Sequence, residues 1–164
     1  MVQTFTQLET ISLEVPNSIA LTVTGDQFEA LVFANPDLRL ERTAQGELIV
    51  NPPTGGESSS RNLSISGQLG NWCETHEDLG EGFDSSGGFI LPNGATRSPD
   101  STLQTKMREY IDNGARLGWL IDPQNRRVEI YRQQAEVEIL INPAELSGED
   151  VLPGFVLNLR RVWR

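Results

Sequence analysis

The sequence predicts a single α+β domain with a mixed central sheet and flanking helices, on three observations. Segments near residues 24–35, 58–80 and 101–114 combine helix-capping residues with apolar residues at helical spacing. Ala44-Gln45-Gly46 and Pro92-Asn93-Gly94 each separate two short strand-like runs. Leu117 to Ile121 is apolar throughout, as in a buried strand covered on both faces, and an apparent meander follows it.

The chain has 164 residues, enough for one core that removes roughly two thirds of the unfolded surface from water. With 37% hydrophobic and 22% charged residues it matches ordinary globular composition. The lone Cys73 excludes an internal disulfide framework, which suits a reducing, cytoplasmic setting. Met1 to Leu13 lacks the basic start and apolar run of a signal peptide, and no later stretch is long and apolar enough to span a membrane. The net charge of −10 opposes steering toward phosphate backbones, so any nucleic-acid surface has to be local. Candidates are Arg126, Arg127 and Arg132 on one expected hairpin, and Arg160, Arg161 and Arg164 at the carboxyl end. Arginines scattered over a solvated face are the commoner meaning of such a pattern.

Residues 1–20 are polar and aperiodic, interrupted by Pro16-Asn17, and read as a flexible arm; the domain proper spans 21–164. Thr24 and Gln27 have capping-box spacing, and Phe28, Leu31 and Val32 share a helical face that should end by Asn35-Pro36. Leu38–Arg42 and Glu47–Val50 form a hairpin, so the domain begins with a helix–hairpin extension. Ser58-Ser59-Ser60 should cap the main packing helix, with Ile65, Leu69, Trp72, Cys73 and His76 on its stripe and Gly80 as its stop. Phe83–Leu91 and Ala95–Pro99 are antiparallel strands. A helix from about Leu103 to Asn113, with Ser101 and Gln104 as capping box, closes at Gly114. Leu117–Ile121 is expected at the middle of the sheet. Val128–Arg132, a strand on which Val137, Ile139 and Ile141 alternate, and a last strand through Leu157 and Leu159 complete the domain.

Six segments in order resemble the Uma-two family of restriction-endonuclease-like proteins. They are Pro-Pro-Thr-Gly-Gly-Glu (52–57), Phe-Asp-Ser-Ser-Gly-Gly-Phe (83–89), Leu-Pro-Asn-Gly-Ala-Thr-Arg-Ser-Pro-Asp (91–100), Lys-Met-Arg-Glu-Tyr (106–110), Leu-Gly-Trp-Leu-Ile-Asp-Pro (117–123) and Leu-Ser-Gly-Glu-Asp-Val-Leu-Pro-Gly-Phe (146–155). The resemblance implies a PD-(D/E)XK nuclease core, DNA as substrate, and a divalent cation, magnesium or manganese, held by acids while a lysine positions the attacking water. Position by position it implies Asp100 and Glu57 as metal ligands and Lys106 and Asp100 as catalytic. Gln104 and Tyr110 become substrate-positioning residues.

One departure is large. Family members carry, between the Ser-Pro-Asp strand and the lysine helix, a long segment ending in a strand similar to Pro-Asp-Phe-Val-Ile-Glu-Val. Here Pro99-Asp100 runs directly into Ser101-Thr102-Leu103. One core strand and its acid are therefore expected to be missing, which would weaken the metal site and impair hydrolysis. It would also leave the sheet to re-pair, as by Leu117–Ile121 joining Phe83–Leu91, or to associate through an open edge with a second copy or a full-length relative. The alternative function is a non-catalytic oligomerisation or interaction module.

Taken singly, the site residues have plainer meanings. Asp100 and Glu57 would be acids at helix starts, and Lys106 a solvated lysine lying over an apolar stripe. Cys73 and His76 read as packing residues, since one His has no second ligand beside it. No Gly-x-Ser-x-Gly elbow, phosphate-cradling Gly-Lys-Ser loop or Cys-x-x-Cys pair occurs.

Overall fold

In the computed structural model of the chain, the described residues are 20–51, 55–79, 81–83, 89–97 and 104–164. The expected arm (1–20) lies outside them except for its last residue. Helix α1 (Gly25–Ala34) starts where its sequence requires: Gln27 N donates to Thr24 Oγ1 at 3.3 Å, and Thr24 N donates to Gln27 Oε1 at 2.9 Å. Asn35 closes it, and Phe28 is its buried residue. Strands β1 (Arg39–Arg42) and β2 (Leu48–Asn51) form the expected hairpin.

Helix α2 (Gly56–Thr75) differs from expectation at both ends. Gly55, with no side-chain cap, starts it ahead of the serines, which become the third to fifth residues of the helix. It ends at Thr75 with His76 as its C-cap, before Gly80 is reached. His76 Nδ1 lies 2.9 Å from Trp72 O, and its ring stacks on the Trp72 indole at 4.5 Å, so this side chain finishes the helix locally.

Strands β3 (Phe89–Ile90) and β4 (Thr96–Arg97) pair across Pro92-Asn93-Gly94, where Gly94 adopts φ +83°. Arg42 of β1 pairs with Thr96 of β4, which gives one sheet in the order β2-β1-β4-β3. The amino-terminal hairpin is therefore part of a shared sheet and not a separate extension.

Helix α3 (Gln104–Asp112) begins only six residues after β4. Its expected capping residue Ser101 lies outside the described residues. Its end is a Schellman turn, with Ala115 N on Tyr110 O at 3.0 Å and Gly114 N on Ile111 O at 3.1 Å. Gly114 holds φ +107°, a conformation that a Cβ would oppose.

Strands β5 (Leu117–Asp122), β6 (Arg127–Arg132) and β7 (Glu138–Ile141) form an antiparallel meander, and β8 (Glu145–Ser147) pairs with β9 (Val156–Asn158). The α+β class is as expected, but among the described residues the ladders are all antiparallel and fall into three sheets, in place of one mixed sheet. Strand β5 is an edge and β6 the centre, and β5 forms no ladder with β3. The apolar run of β5 thus reports cover on its two faces; pairing at its two edges is a separate matter that composition does not reveal. Alternation on β7 is also reversed. Leu140 pairs with Val128 and packs toward the core, while Ile139 and Ile141 are exposed.

The core lies between α2, the β5-β6-β7 sheet and the β8–β9 hairpin. Trp72, Val128, Ile130, Leu146, Phe155 and Leu157 are buried there, with Leu117, Trp119 and Ile121 packed against them. Each fully buried aliphatic or aromatic side chain contributes roughly 1.5–3 kcal/mol. Trp72 Nε1 donates to Pro153 O and Trp163 Nε1 to Pro143 O, so two of the indoles bury their rings without losing their hydrogen bonds.

Candidate functional site

The period of two along β6 separates its faces. Val128 and Ile130 enter the core, while Arg127, Glu129 and Tyr131 point to the other side of the sheet, where α3 lies. Gly118 of β5, paired with Tyr131, supplies the close approach: a Cβ there would overlap Met107 Cε of α3. Gln104 Nε2 then reaches Glu129, 2.8 Å from Oε1 and 3.0 Å from Oε2. Tyr131 Oη donates to Glu129 Oε2 at 2.6 Å, and Arg127 Nη2 lies 2.8 Å from Oε1.

These donors hold the buried Glu129 carboxyl below its usual range, the Tyr131 hydroxyl most strongly and then Gln104 and Arg127, against the opposing effect of burial. Burial, reinforced by the neighbouring carboxylate, pushes the Tyr131 hydroxyl up to about 12.

Lys106 is two residues from Gln104 and so leaves α3 on a different side. Its Nζ lies 2.8 Å from Glu41 Oε1 and 2.7 Å from Oε2, and both side chains are buried. Asn51, two residues beyond Glu41's cross-strand partner Ile49, donates to Glu41 Oε1 at 2.8 Å. Helix α3 therefore bridges the two larger sheets, through Lys106 to β1 and through Gln104 to β6.

The expected site residues do not all converge. Lys106 and Gln104 are held in polar contacts, and Lys106 is buried where a solvated lysine is the plainer expectation. Tyr110, half-buried one turn after Lys106, accepts the Schellman hydrogen bond through its backbone. Asp100 lies outside the described residues. Glu57 is exposed at the start of α2; its ion pair is with Arg61 at 3.3 Å, and none of its described polar partners belongs to the Lys106 cluster. The acid that meets Lys106 is Glu41. Sequence reasoning passed over Glu41, Asn51, Glu129 and Tyr131; a charged residue at an inward position of a short strand was the available signal.

The two buried carboxylates do not suit a resident divalent cation among the described residues. Glu41 is taken by Lys106 and Asn51, Glu129 by Gln104, Tyr131 and Arg127, and among the described residues no three Asp, Glu, His or Cys side chains form a ligand group. Two of the arginines proposed for phosphate are also engaged. Arg127 serves Glu129, and Arg132 pairs with Glu149 and Glu138, each at 2.9 Å.

The family model for Uma2, described as "Putative restriction endonuclease", matches residues 26–104 and 101–160. The chain belongs to the Uma2 family. Its fold is shared with a crystal structure described as a putative nuclease belonging to DUF820 from Anabaena variabilis ATCC 29413. That match has a TM-score of 0.59 at 17% identity over 76% of this chain and 89% of the other. The comparison with curated proteins gives no significant match. The two segments matched to the Uma2 model meet at residues 101–104, between Asp100 and Lys106.

Proposed function

We propose that this Uma2 chain is a DNA-directed domain of the metal-dependent endonuclease type whose own phosphodiester hydrolysis is weak or lost. One observation carries the reading: Lys106, the lysine that the family pattern assigns to the attacking water, is sealed in a buried ion pair with Glu41. A lysine so placed fixes α3 and is not presented to solvent. The meeting of the two family matches at residues 101–104 supports the same reading, because only six residues, 98–103, separate β4 from α3 where the family pattern carries a long segment. Magnesium keeps much of its water shell and is held by few carboxylates, so losing one acid lowers its affinity steeply.

The test is cleavage of supercoiled plasmid with magnesium or manganese, by the wild-type chain and by Asp100→Ala and Lys106→Met variants of verified folding. Little or no nicking by any of them is expected. Rapid cleavage that both substitutions abolish would sink the idea of impairment and restore a working site.

A second reading, association through a sheet edge, is favoured by β5, whose outer edge forms no ladder among the described residues while Ile139 and Ile141 are exposed across the same sheet. Light scattering on a gel-filtration column decides it: a monomer at high concentration removes it.

A further inference from the structure

Most of the chain's arginines near the core are spent on carboxylates, and one group is not. Leu159 and Val162 are buried after β9, and the turn between them is fixed by Val162 N and Trp163 N on Leu159 O at 2.9 and 3.0 Å. That anchoring leaves Arg160, Arg161 and Arg164 exposed, and none of the three pairs with a carboxylate among the described residues.

Facing this turn is the outer side of α2. Ser60, Ser64, Gln68 and Asn71 recur at helical spacing on that side, hydroxyl and amide groups interrupted by Gly67 and the exposed Leu63. Gln68 ties the walls together, accepting from Asn158 N at 2.7 Å and donating to Asn158 O at 3.1 Å. Two open hollows of about 520 and 500 Å³ lie along the seam and share Arg161. The second sits at the start of α2, where Gly55 provides no side-chain cap. Its lining includes the acid Glu57, already paired with Arg61, whose own Nε is buried without a partner.

We propose that this groove binds the phosphate backbone of duplex DNA, with Arg160, Arg161 and Arg164 on phosphates and the α2 hydroxyls and amides on neighbouring oxygens. The choice of DNA rests on the endonuclease-type reading above; the groove itself rests on charge and geometry. In a chain of net charge −10, exposed arginines grouped on a seam whose one acid, Glu57, is already paired with Arg61 are where a polyanion can approach. The partially positive start of α2 adds to the same field. Such contacts fix position on the backbone and carry no base specificity.

The experiment is fluorescence anisotropy of a short labelled DNA duplex in EDTA, so that binding is read without cleavage. Three phosphate contacts predict a slope of log affinity against log salt of roughly −2.7, a loss of about fortyfold between about 50 and 200 mM salt. Arg161→Glu should weaken binding by about tenfold or more, and Arg161→Gln by less. Arg126→Glu, which makes the same charge change in the exposed turn between β5 and β6, should have little effect. Equal weakening by Arg161→Glu and Arg126→Glu would overturn the groove and leave the DNA reading intact. No wild-type binding at low salt would overturn the DNA reading and the groove with it. Tighter binding of a single-stranded RNA would overturn the choice of duplex DNA. Thermal melts of each variant keep folding defects separate, and the Arg161→Gln variant carries the test if Arg161→Glu fails to fold.

Discussion

Lys106 of α3 and Glu41 of β1, 65 residues apart in sequence, meet at 2.7 Å with their side chains 6% and 2% exposed. In such a site the desolvation of two ions nearly offsets their attraction, whereas removing one partner strands the other charge away from water. The pair's main effect is then to fix where α3 docks between two sheets.

Lys106→Met should therefore cost about 3–5 kcal/mol, because it leaves Glu41 uncompensated. The double variant Lys106→Met/Glu41→Leu should recover most of that loss, since neither charge remains. Urea unfolding of the four proteins in the cycle measures it. A double variant no more stable than Lys106→Met would show that the pair is itself a large source of stability.

The Glu129–Tyr131 contact predicts pH dependence at both ends of the range. Glu129 is held below the usual carboxyl range, so its stabilisation is fully present above the unfolded value near 4.5 and is lost as pH falls through the lower folded value. Tyr131 is raised from 10.0 to about 12, so its contribution is present below pH 10 and is lost as pH rises toward 12. The alkaline loss amounts to about 2–3 kcal/mol. Tyr131→Phe should make both declines shallower in calorimetric Tm measurements. It should also remove the tyrosinate step near pH 12 from a spectroscopic titration. An unchanged alkaline limb in the variant would refute the assignment to Tyr131.

What the sequence disclosed and what it hid divide along contact range. The Thr24–Gln27 capping box, the hairpin turn at Gly94 and the Schellman glycine Gly114 depend on neighbours within a few residues, and local spacing predicts them. Helix α2 escaped because Gly55 could begin it before any of the three serines. The partners of Lys106 and Gln104 lie 65 and 25 residues away, beyond any periodicity, so the buried Glu41 and Glu129 read as ordinary strand charges. Resemblance marked Lys106 as notable, but only the pairing of sheets around α3 buries it. Strand β5 was misplaced for a related reason: an apolar run records what covers its faces and carries no information about its edges.

Two glycines predict opposite tolerances. A Cβ at Gly118 would overlap Met107 Cε, the mobile end of an unbranched side chain that can turn aside. At Gly148 the obstacles are Leu152 O and Leu152 Cβ, each 2.6 Å away. That backbone is held in place by Gly148 N on Phe155 O at 2.8 Å and Leu152 N on Gly148 O at 2.9 Å. Gly148→Ala should thus cost about 1–3 kcal/mol, and Gly118→Ala under about 1 kcal/mol. Chemical denaturation ranks them, and the reverse order would mean that Met107 is more tightly confined than its flexibility implies. The ranking also bears on binding, because the loop from Gly148 to Phe155 sets the β8–β9 hairpin that leads into Arg160 and Arg161. Gly148→Ala should weaken DNA binding along with stability, whereas Gly118→Ala, on the α3 side of the sheet, should leave the affinity unchanged.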